Sequence, residues 1–364
     1  MSLTLNGESF ESKRLHQHCS AKLAQSSTPK WEKSIYTFIL DWLSPEDSII
    51  LQTSGSTGKP KILHASKAAM IASAHLTQET FDLQENDSAL LCLPAEYIAG
   101  KMMIVRAFVC GLNLCTVEPT SAPLDQTIDD FFKLVSMVPL QLAHYQKEYT
   151  LDQSLRLFKK IDTLLIGGAP IPKSIEAFIA KLPCNSFHTY GMTETLTHIA
   201  IRNIRQNPAT YHTLLGITVD TNSDNCLIIK APPLGIAELE TTDIAQVLSE
   251  KEFKLLGRAD NTINTGGIKV QPEAIEQKIE AEFTQYPILI FPSENERLGQ
   301  QVNLAIETSY DKRLEQHIHA LLQNLKTLNK YESPKRLFFM KRFIYTESGK
   351  LQRTQTIKAL TQHP

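Results

Sequence analysis

From Thr53 to Lys61 the chain reads Thr53-Ser54-Gly55-Ser56-Thr57-Gly58-Lys59-Pro60-Lys61, a loop rich in hydroxyls and glycine that ends in two lysines. Glycine lets backbone N–H groups approach a polyphosphate closely, and the hydroxyl and ammonium groups add donors and positive charge. A Walker loop requires four residues between its glycines and a Lys-Ser or Lys-Thr ending. Here only Ser56 and Thr57 separate Gly55 from Gly58, and Pro60 follows Lys59. The plain alternative is a polar surface turn, which the same residue types also build. A second stretch, Tyr190-Gly191-Met192-Thr193-Glu194-Thr195, combines an aromatic face, a permissive glycine and a carboxylate. Such a set can hold a base and a magnesium ion, because Mg²⁺ takes one or two carboxylates plus substrate phosphates. Alone it reads equally well as a strand end turning through glycine, with Glu194 in solvent. A third stretch runs from Gly257 through Arg258, Asp260 and Asn264 to Gly266, Gly267 and Lys269, and a fourth is Ser348-Gly349-Lys350-Leu351-Gln352-Arg353. Taken singly, Lys350 is an exposed lysine, the usual place for that residue.

These loops must be held by regular elements, and the pattern is an irregular alternation of helices and strands, hence α/β. Residues 31–44 place Ile35, Phe38, Ile39 and Trp42 at helical spacing, and SIILQ (48–52) reads as a short buried strand leading into the first loop. Ser66 can cap a helix with Met70, Ala74, Thr77 and Phe81 on one face. Further strands are expected at 89–94, 112–119, 163–168 and 226–232. The C-terminal part reads as a separate α+β unit. A helix starts at Pro272 and carries Ile275, Ile279 and Phe283, strands follow at PILIF and QVNLAIE, and a helix from Asp311 to Leu328 precedes the strand RLFFMKRFIY. The expected division is a large unit over 1–257 and a small one over 258–364. The opening Met-Ser-Leu is given no weight.

At 364 residues the chain exceeds a single core, and 42% hydrophobic with 21% charged residues is ordinary globular composition. A net charge of -2 gives no electrostatic case for nucleic acid or an anionic membrane. There is no apolar run long enough to span a bilayer and no signal-peptide profile at the start, so the expected location is the cytoplasm. The six cysteines form no CxxC pair and have no histidine at zinc spacing, which predicts reduced, packed thiols.

In order along the chain, TSGSTGKPK, YGMTET, GRADNTINTGGIKVQPEAIE and SGKLQR resemble the signature motifs of the adenylate-forming superfamily of acyl-CoA synthetases, firefly luciferase and peptide-synthetase adenylation domains. The resemblance runs from about residue 48 to 357, with ENERLGQQV similar to a further family segment. It implies a large nucleotide- and acid-binding domain, shortened at its front, and a small mobile lid domain. Within the superfamily the chain is most similar to the o-succinylbenzoate:CoA ligases of menaquinone biosynthesis, through LPAEYIAGKMMIVRAF (93–108) and LLIGGAPIP (164–172). Tyr97 stands where many relatives carry a histidine at the acyl gate.

The resemblance implies roles residue by residue. Thr53, Ser54, Gly55, Ser56, Thr57, Gly58 and Lys59 would embrace the β- and γ-phosphates of ATP. Tyr190 and Gly191 would face adenine, Thr193 the α-phosphate, and Glu194 would hold Mg²⁺. Gly168 and Ala169 would line the nucleotide side and Gly167 the acid side. Asp243, preceded by Thr242 where the family has glycine, would bind the ribose hydroxyls, and Arg258 would add a ribose or phosphate contact. Asp260 would be the hinge, the Asn264 to Lys269 loop with Gly266 and Gly267 would admit coenzyme A, and Lys350 would enter the first half-reaction. Tyr97, Gly100, Lys101 and Arg106 are the candidates for the acid pocket, the two cations as counter-charges to a second carboxylate.

The implied reaction joins a small carboxylic acid to coenzyme A at the expense of ATP, with no nucleic-acid partner and no membrane insertion. Oligomeric state is left open, a homodimer included. The competing readings are a ligase for another aryl or short-chain acid, a stand-alone adenylation enzyme loading a carrier protein, and a silent acyl-nucleotide binding module.

Overall fold

The computed structural model describes residues 2–52, 62–127, 130–206, 209–346 and 351–362. The expected phosphate loop, from Thr53 to Lys59, and Lys350 lie outside the described residues. Contacts divide the chain into two compact units. The first comprises Met1–Gly168, Phe178–Thr218 and Ile229–Leu239, and the second Ala169–Ala177, Val219–Ile228 and Glu240–Pro364.

The first unit begins with a hairpin, β1 (Ser2–Leu5) and β2 (Glu8–Glu11). Asn6 and Gly7 both take positive φ between them, the turn that two-residue hairpins favour. Leu3, one of the opening residues given no weight above, is 1% exposed, pairs with Phe10 and belongs to the core. Helices α1 (Ser12–Ala24) and α2 (Lys30–Leu43) follow, the second burying Ile35, Phe38, Ile39 and Trp42 as its spacing predicts. Strands β3 (Ser48–Gln52) and β4 (Ile62–Ser66) pair antiparallel from Ser48↔Ser66 to Gln52↔Ile62. Ile49 and Leu51 are buried but Ile50 is 63% exposed, so SIILQ alternates rather than burying both faces. Helix α3 (Lys67–Phe81) starts at the predicted cap, where Ser66 Oγ accepts from Ala69 N.

The body of this unit is a parallel sheet of β5 (Ser88–Leu91), β6 (Asn113–Thr116), β7 (Phe132–Met137), β8 (Ile161–Ile166) and β9 (Asn185–Gly191). The helices α4 (Ile98–Cys110), α5 (Pro139–Glu148), α6 (Leu151–Phe158) and α7 (Lys173–Ile179) alternate with these strands in the chain. Parallel neighbours need such crossovers, and strands covered on both faces become continuous apolar runs, as in Ala89, Leu90 and Leu91 or Leu164, Leu165 and Ile166. β10 (His198–Asn203) and β11 (Tyr211–Thr213) continue antiparallel beyond β9. Spatially the order is β2-β1-β6-β5-β7-β8-β9-β10-β11. From β5 the chain steps to β6 on one side and returns to β7 on the other. That reversal makes the carboxyl ends of β5 and β7 the switch point where open α/β sheets place ligands.

The remaining strands begin with β12 (Thr218–Thr221), β13 (Cys226–Ala231), β14 (Ile236–Ser249) and β15 (Glu252–Arg258). In the second unit β14 and β15 pair antiparallel with Asp243 opposite Arg258. Strands β16 (Ile263–Thr265) and β17 (Ile268–Val270) form a hairpin through Gly266 and Gly267, both at positive φ. Helix α8 (Pro272–Glu280) packs with β18 (Ile288–Asn295), β19 (Gly299–Glu307) and α9 (Lys312–Asn324) around Ile263, Ile275, Ile279, Leu304 and Ile318. Strand β20 (Leu337–Met340) is shorter than RLFFMKRFIY suggests, because its parallel partner β19 ends at Glu307, opposite Met340. Helix α10 (Arg353–Gln362) closes the described chain.

Candidate active site

Three of the expected site segments emerge from the carboxyl ends of parallel strands in the first unit. The turn from Pro94 to Gly100 follows β5, Gly167 and Gly168 follow β8, and Tyr190 and Gly191 end β9. Parallel strands point the same way, so sequence-distant loops gather at one edge of the sheet.

After β5 the backbone turns sharply into α4. A Cβ on Gly100 would lie 2.3 Å from Pro94 O and 2.7 Å from Pro94 C, so only glycine fits against that turn. Tyr97 caps the helix and is 38% exposed, which suits a gate more than a core residue. Lys101 Nζ donates to Ala95 O at 2.7 Å and to Glu96 O at 3.2 Å, and it lies 5.3 Å from the centre of the Phe38 ring. Burial lowers its pKa from the usual lysine value. Its ammonium therefore braces the β5–α4 turn.

Arg106, two turns along α4, is 3% exposed. Its Nε donates to Thr77 Oγ1 at 3.1 Å and its Nη2 to Thr197 Oγ1 at 2.8 Å, while Nη1 meets Met103 Sδ at 3.5 Å. Among the described residues no carboxylate pairs with it. Burial pulls its pKa down to about 10, opposed only by the neighbouring Cys110 thiol. A buried, unpaired guanidinium is uncommon in a structural role and well suited to an anionic ligand.

The Tyr190–Thr195 segment is held by backbone geometry. Tyr190 is 8% exposed, with its ring 5.9 Å from that of Tyr211 and inclined at 62°. A Cβ on Gly191 would stand 2.2 Å from Thr197 O and 2.7 Å from His198 Cα, so the returning strand β10 crosses directly over it. Thr193–Thr195 form one 3₁₀ turn, closed by Met192 N to Thr195 Oγ1 at 3.0 Å and Thr195 Oγ1 to Thr197 O at 2.9 Å. Leu196 then takes φ +65°, unusual for a branched side chain, and ends the turn. Thr193 is half-buried and Glu194 exposed, so the carboxylate faces solvent. Gly168 has φ +87°, and a Cβ on Gly167 would lie 2.6 Å from Thr189 Oγ1, on the strand that carries Tyr190. The contacts of Arg106 with Thr197, and of Thr197 with His198, were not anticipated from the sequence.

In the second unit Arg258 Nη1 donates to Asp243 Oδ1 at 3.1 Å, and its Nη2 to Thr242 Oγ1 at 2.6 Å and Asp260 Oδ2 at 2.8 Å. The expected ribose and hinge aspartates are thus tied through one guanidinium. Gly257 (φ +156°) is hemmed in by Glu273 Oε2 and Gln271 Oε1, at 2.7 and 3.2 Å from where a Cβ would stand. Ala169 belongs to a segment grouped with this unit. Lys269 is exposed at the Gly266–Gly267 hairpin, its Nζ 4.0 Å from Asp224 Oδ1, and Asn264 N donates to Gln300 Oε1 at 2.8 Å. Arg353, three residues beyond Lys350, forks onto Glu276 at 2.8 and 3.0 Å and also donates to Ile290 O at 2.8 Å.

Among the described residues no group of three or more His, Cys, Asp or Glu could hold a metal ion, and no helix is long and apolar enough to cross a membrane. A cation with few protein ligands and several phosphate oxygens would still fit Glu194, which is exposed at a turn.

The sequence pattern of the AMP-binding enzyme family matches residues 8–223. An acyl-CoA synthetase (AMP-forming)/AMP-acid ligase II-like protein from Dyadobacter fermentans is 30% identical, with 95% of this chain and 98% of that one covered at a TM-score of 0.60. The 2-succinylbenzoate–CoA ligase of Haemophilus influenzae is 25% identical over 74% of this chain, which spans only 61% of that relative's length. The fold is shared with o-succinylbenzoate CoA synthetase from Bacillus subtilis, solved with its acyl-adenylate intermediate, at a TM-score of 0.72 and 19% identity over 84% of this chain and 68% of that one. A match across more than half of the chain, joined to a 30% identical relative covered almost end to end, establishes that this protein belongs to the AMP-binding enzyme family.

Proposed function

We propose that the protein is an AMP-forming acid:CoA ligase acting in the cytoplasm, with 2-succinylbenzoate as its acid. The observation that carries this reading is the bond from the buried, carboxylate-free Arg106 to Thr197 in the loop that follows Tyr190, Thr193 and Glu194. A buried cation bonded to the loop after the segment assigned to the nucleotide supports a role for Arg106 as counter-charge to the acid. 2-Succinylbenzoate has a second carboxylate and a ketone, and a buried cation is what its distal anion needs.

In the first half-reaction a carboxylate oxygen attacks the α-phosphorus of ATP, the bond to the β-phosphate oxygen breaks, and pyrophosphate leaves. Two anions approach one another, so cationic groups must offset the charge that gathers on the phosphoryl oxygens, and each well-placed group contributes a few kcal/mol. Lys350 and Lys59 are assigned this task, with the hydroxyls of Thr53, Ser54, Ser56 and Thr57 and the backbone of Gly55 and Gly58 around the leaving phosphates. Bound Mg²⁺ would supply Lewis-acid neutralisation of the phosphates, and Glu194 is the residue assigned to hold it. Tyr190 and Gly191 are assigned to adenine, Thr193 to the α-phosphate, Asp243 and Arg258 to the ribose, and Gly167, Gly168 and Ala169 to the floor between acid and nucleotide. In the second half-reaction the thiolate of coenzyme A attacks the acyl carbon and AMP leaves, with Asp260 as the hinge and Gly266, Gly267 and Lys269 on the path of the thiol.

Pyrophosphate release measured over a panel of acids, with and without coenzyme A, tests the reading. Turnover of 2-succinylbenzoate to its thioester is expected. Pyrophosphate release that ends at an enzyme-bound adenylate, discharged only by a carrier-protein thiol, would replace coenzyme A as acceptor, and no release with any acid would remove the ligase assignment.

A further inference from the structure

His198 opens β10 beside the Arg106 network and is 6% exposed. Its Nδ1 lies 3.2 Å from Thr197 Oγ1, the same oxygen that accepts from Arg106 Nη2 at 2.8 Å. A guanidinium can only donate, so the threonine oxygen accepts from Arg106 and its own hydrogen remains available. If that hydrogen goes to Nδ1, the neutral ring carries its proton on Nε2. The opposite tautomer would leave both the part-buried threonine hydrogen and the buried Nε2 lone pair unmet, one polar group more than the first. Burial and the neighbouring Arg106 charge both hold the ring well below the usual histidine range, which keeps it neutral.

Nε2 is buried and has no hydrogen-bond partner among the described residues. Among the described residues the network therefore presents a charge without a counter-ion and one unmet donor, linked through Thr197. One is a permanent cation without a carboxylate, and the other is a neutral N–H without an acceptor. A ligand matching both has an anionic group and, close to it, a second uncharged oxygen. We propose that His198, held in its Nε2–H tautomer by Thr197, donates to a carbonyl oxygen in the tail of the acid whose distal carboxylate meets Arg106. His198 is thus a specificity-determining residue for keto-diacids. The inference rests on the acid:CoA ligase reading above and deepens it by naming the substrate feature that the site distinguishes.

The test uses the full-length protein and two acids, 2-succinylbenzoate and its analogue with the ketone replaced by a methylene, followed by pyrophosphate release. His198→Phe keeps a ring of similar size and removes the donor, whereas His198→Gln can return an N–H. The expected result for His198→Phe is a KM for the keto-acid raised tenfold or more, with the methylene analogue changed less than twofold and the KM for ATP unaltered. His198→Gln should recover most of the discrimination, and Thr197→Val, which frees the ring, should lose part of it. Equal effects on both acids, or a fall in melting temperature with unchanged kinetics, would overturn the proposal. Independently of any variant, ¹⁵N-histidine spectra of the free wild-type protein should show the Nε2–H tautomer for His198, and the Nδ1–H form would also overturn it. A wild type that releases pyrophosphate with both acids without preference defeats this inference alone. A wild type silent with every acid defeats the ligase reading as well.

Discussion

Arg258 and Asp243 sit opposite one another in the β14–β15 ladder, and the guanidinium joins the carboxylate at 3.1 Å. Through its other nitrogen Arg258 also reaches Thr242 and Asp260. On the proposed assignment, a ribose bound at Asp243 would have to share that carboxylate with the guanidinium, and the arginine would set the orientation in which the ribose hydroxyls meet it. Charge-assisted bonds contribute about 1.5–3 kcal/mol, and the 41% exposure of the arginine side chain argues for the lower end. Arg258→Ala should raise the KM for ATP roughly threefold to tenfold with little effect on the KM for the acid, as read in steady-state pyrophosphate release. An unchanged KM for ATP would remove Arg258 from nucleotide binding.

Gly191 has Thr197 O and His198 Cα where a side chain would begin. Neither neighbour is the end of a flexible chain, so Gly191→Ala must push β10 away from β9. The expected cost is about 2–4 kcal/mol, visible as a lower denaturation midpoint together with loss of adenylation. Wild-type stability would show that the strand crossing is looser than described.

Lys350 can be tested by separating the half-reactions. Lys350→Ala should abolish pyrophosphate release from ATP while largely sparing thioester formation from supplied acyl-adenylate. Equal loss in both would refute its assignment to the first step. Arg353→Ala, by contrast, strands the buried Glu276 carboxylate and should lower stability by about 3–5 kcal/mol in chemical denaturation, since removing one partner of a buried pair leaves the other uncompensated.

Glu280 supplies a pH signature in the second unit. Burial, then the neighbouring Glu276 charge, raise its pKa from 4.5 to about 7, against opposing contributions from Lys173. The folded state therefore holds this proton more tightly than the unfolded chain. The associated stability is fully present below pH 4.5 and is lost as pH rises through about 7. Glu280→Gln stays neutral throughout, so the stability of the variant relative to wild type should grow by on the order of 2 kcal/mol between pH 4.5 and 8. A pH-independent difference would contradict the shift.

Much of this architecture can be read from local pattern. The Ser66 cap, the helical face of Ile35, Phe38, Ile39 and Trp42, and the Pro272 start of α8 are each set by residues within a few positions of one another. The motif segments after β5, β8 and β9 are equally legible, since glycines at a strand end advertise a tight turn. What escaped was long-range. The bond from Arg106 to Thr197 spans 91 positions, and no periodicity in either segment announces it. Likewise Lys101 and Arg106 look equivalent as cations on one stretch of chain, yet the first is taken up by the carbonyls of Ala95 and Glu96 while the second is buried without a carboxylate. The opening hairpin was missed for another reason. Its Asn6-Gly7 turn is a local hairpin signal, but each flanking strand is only four residues long and carries too little alternation to stand out.

The fit of Gly100 against Pro94 also limits how this protein could be re-engineered for new acids. Any side chain at that position would meet main-chain atoms, which cannot rotate aside, so a library randomised there would be populated mostly by misfolded members. Tyr97, partly in solvent at the start of α4, can change size without disturbing a strand, and on the proposed reading directed evolution of acid preference should begin there.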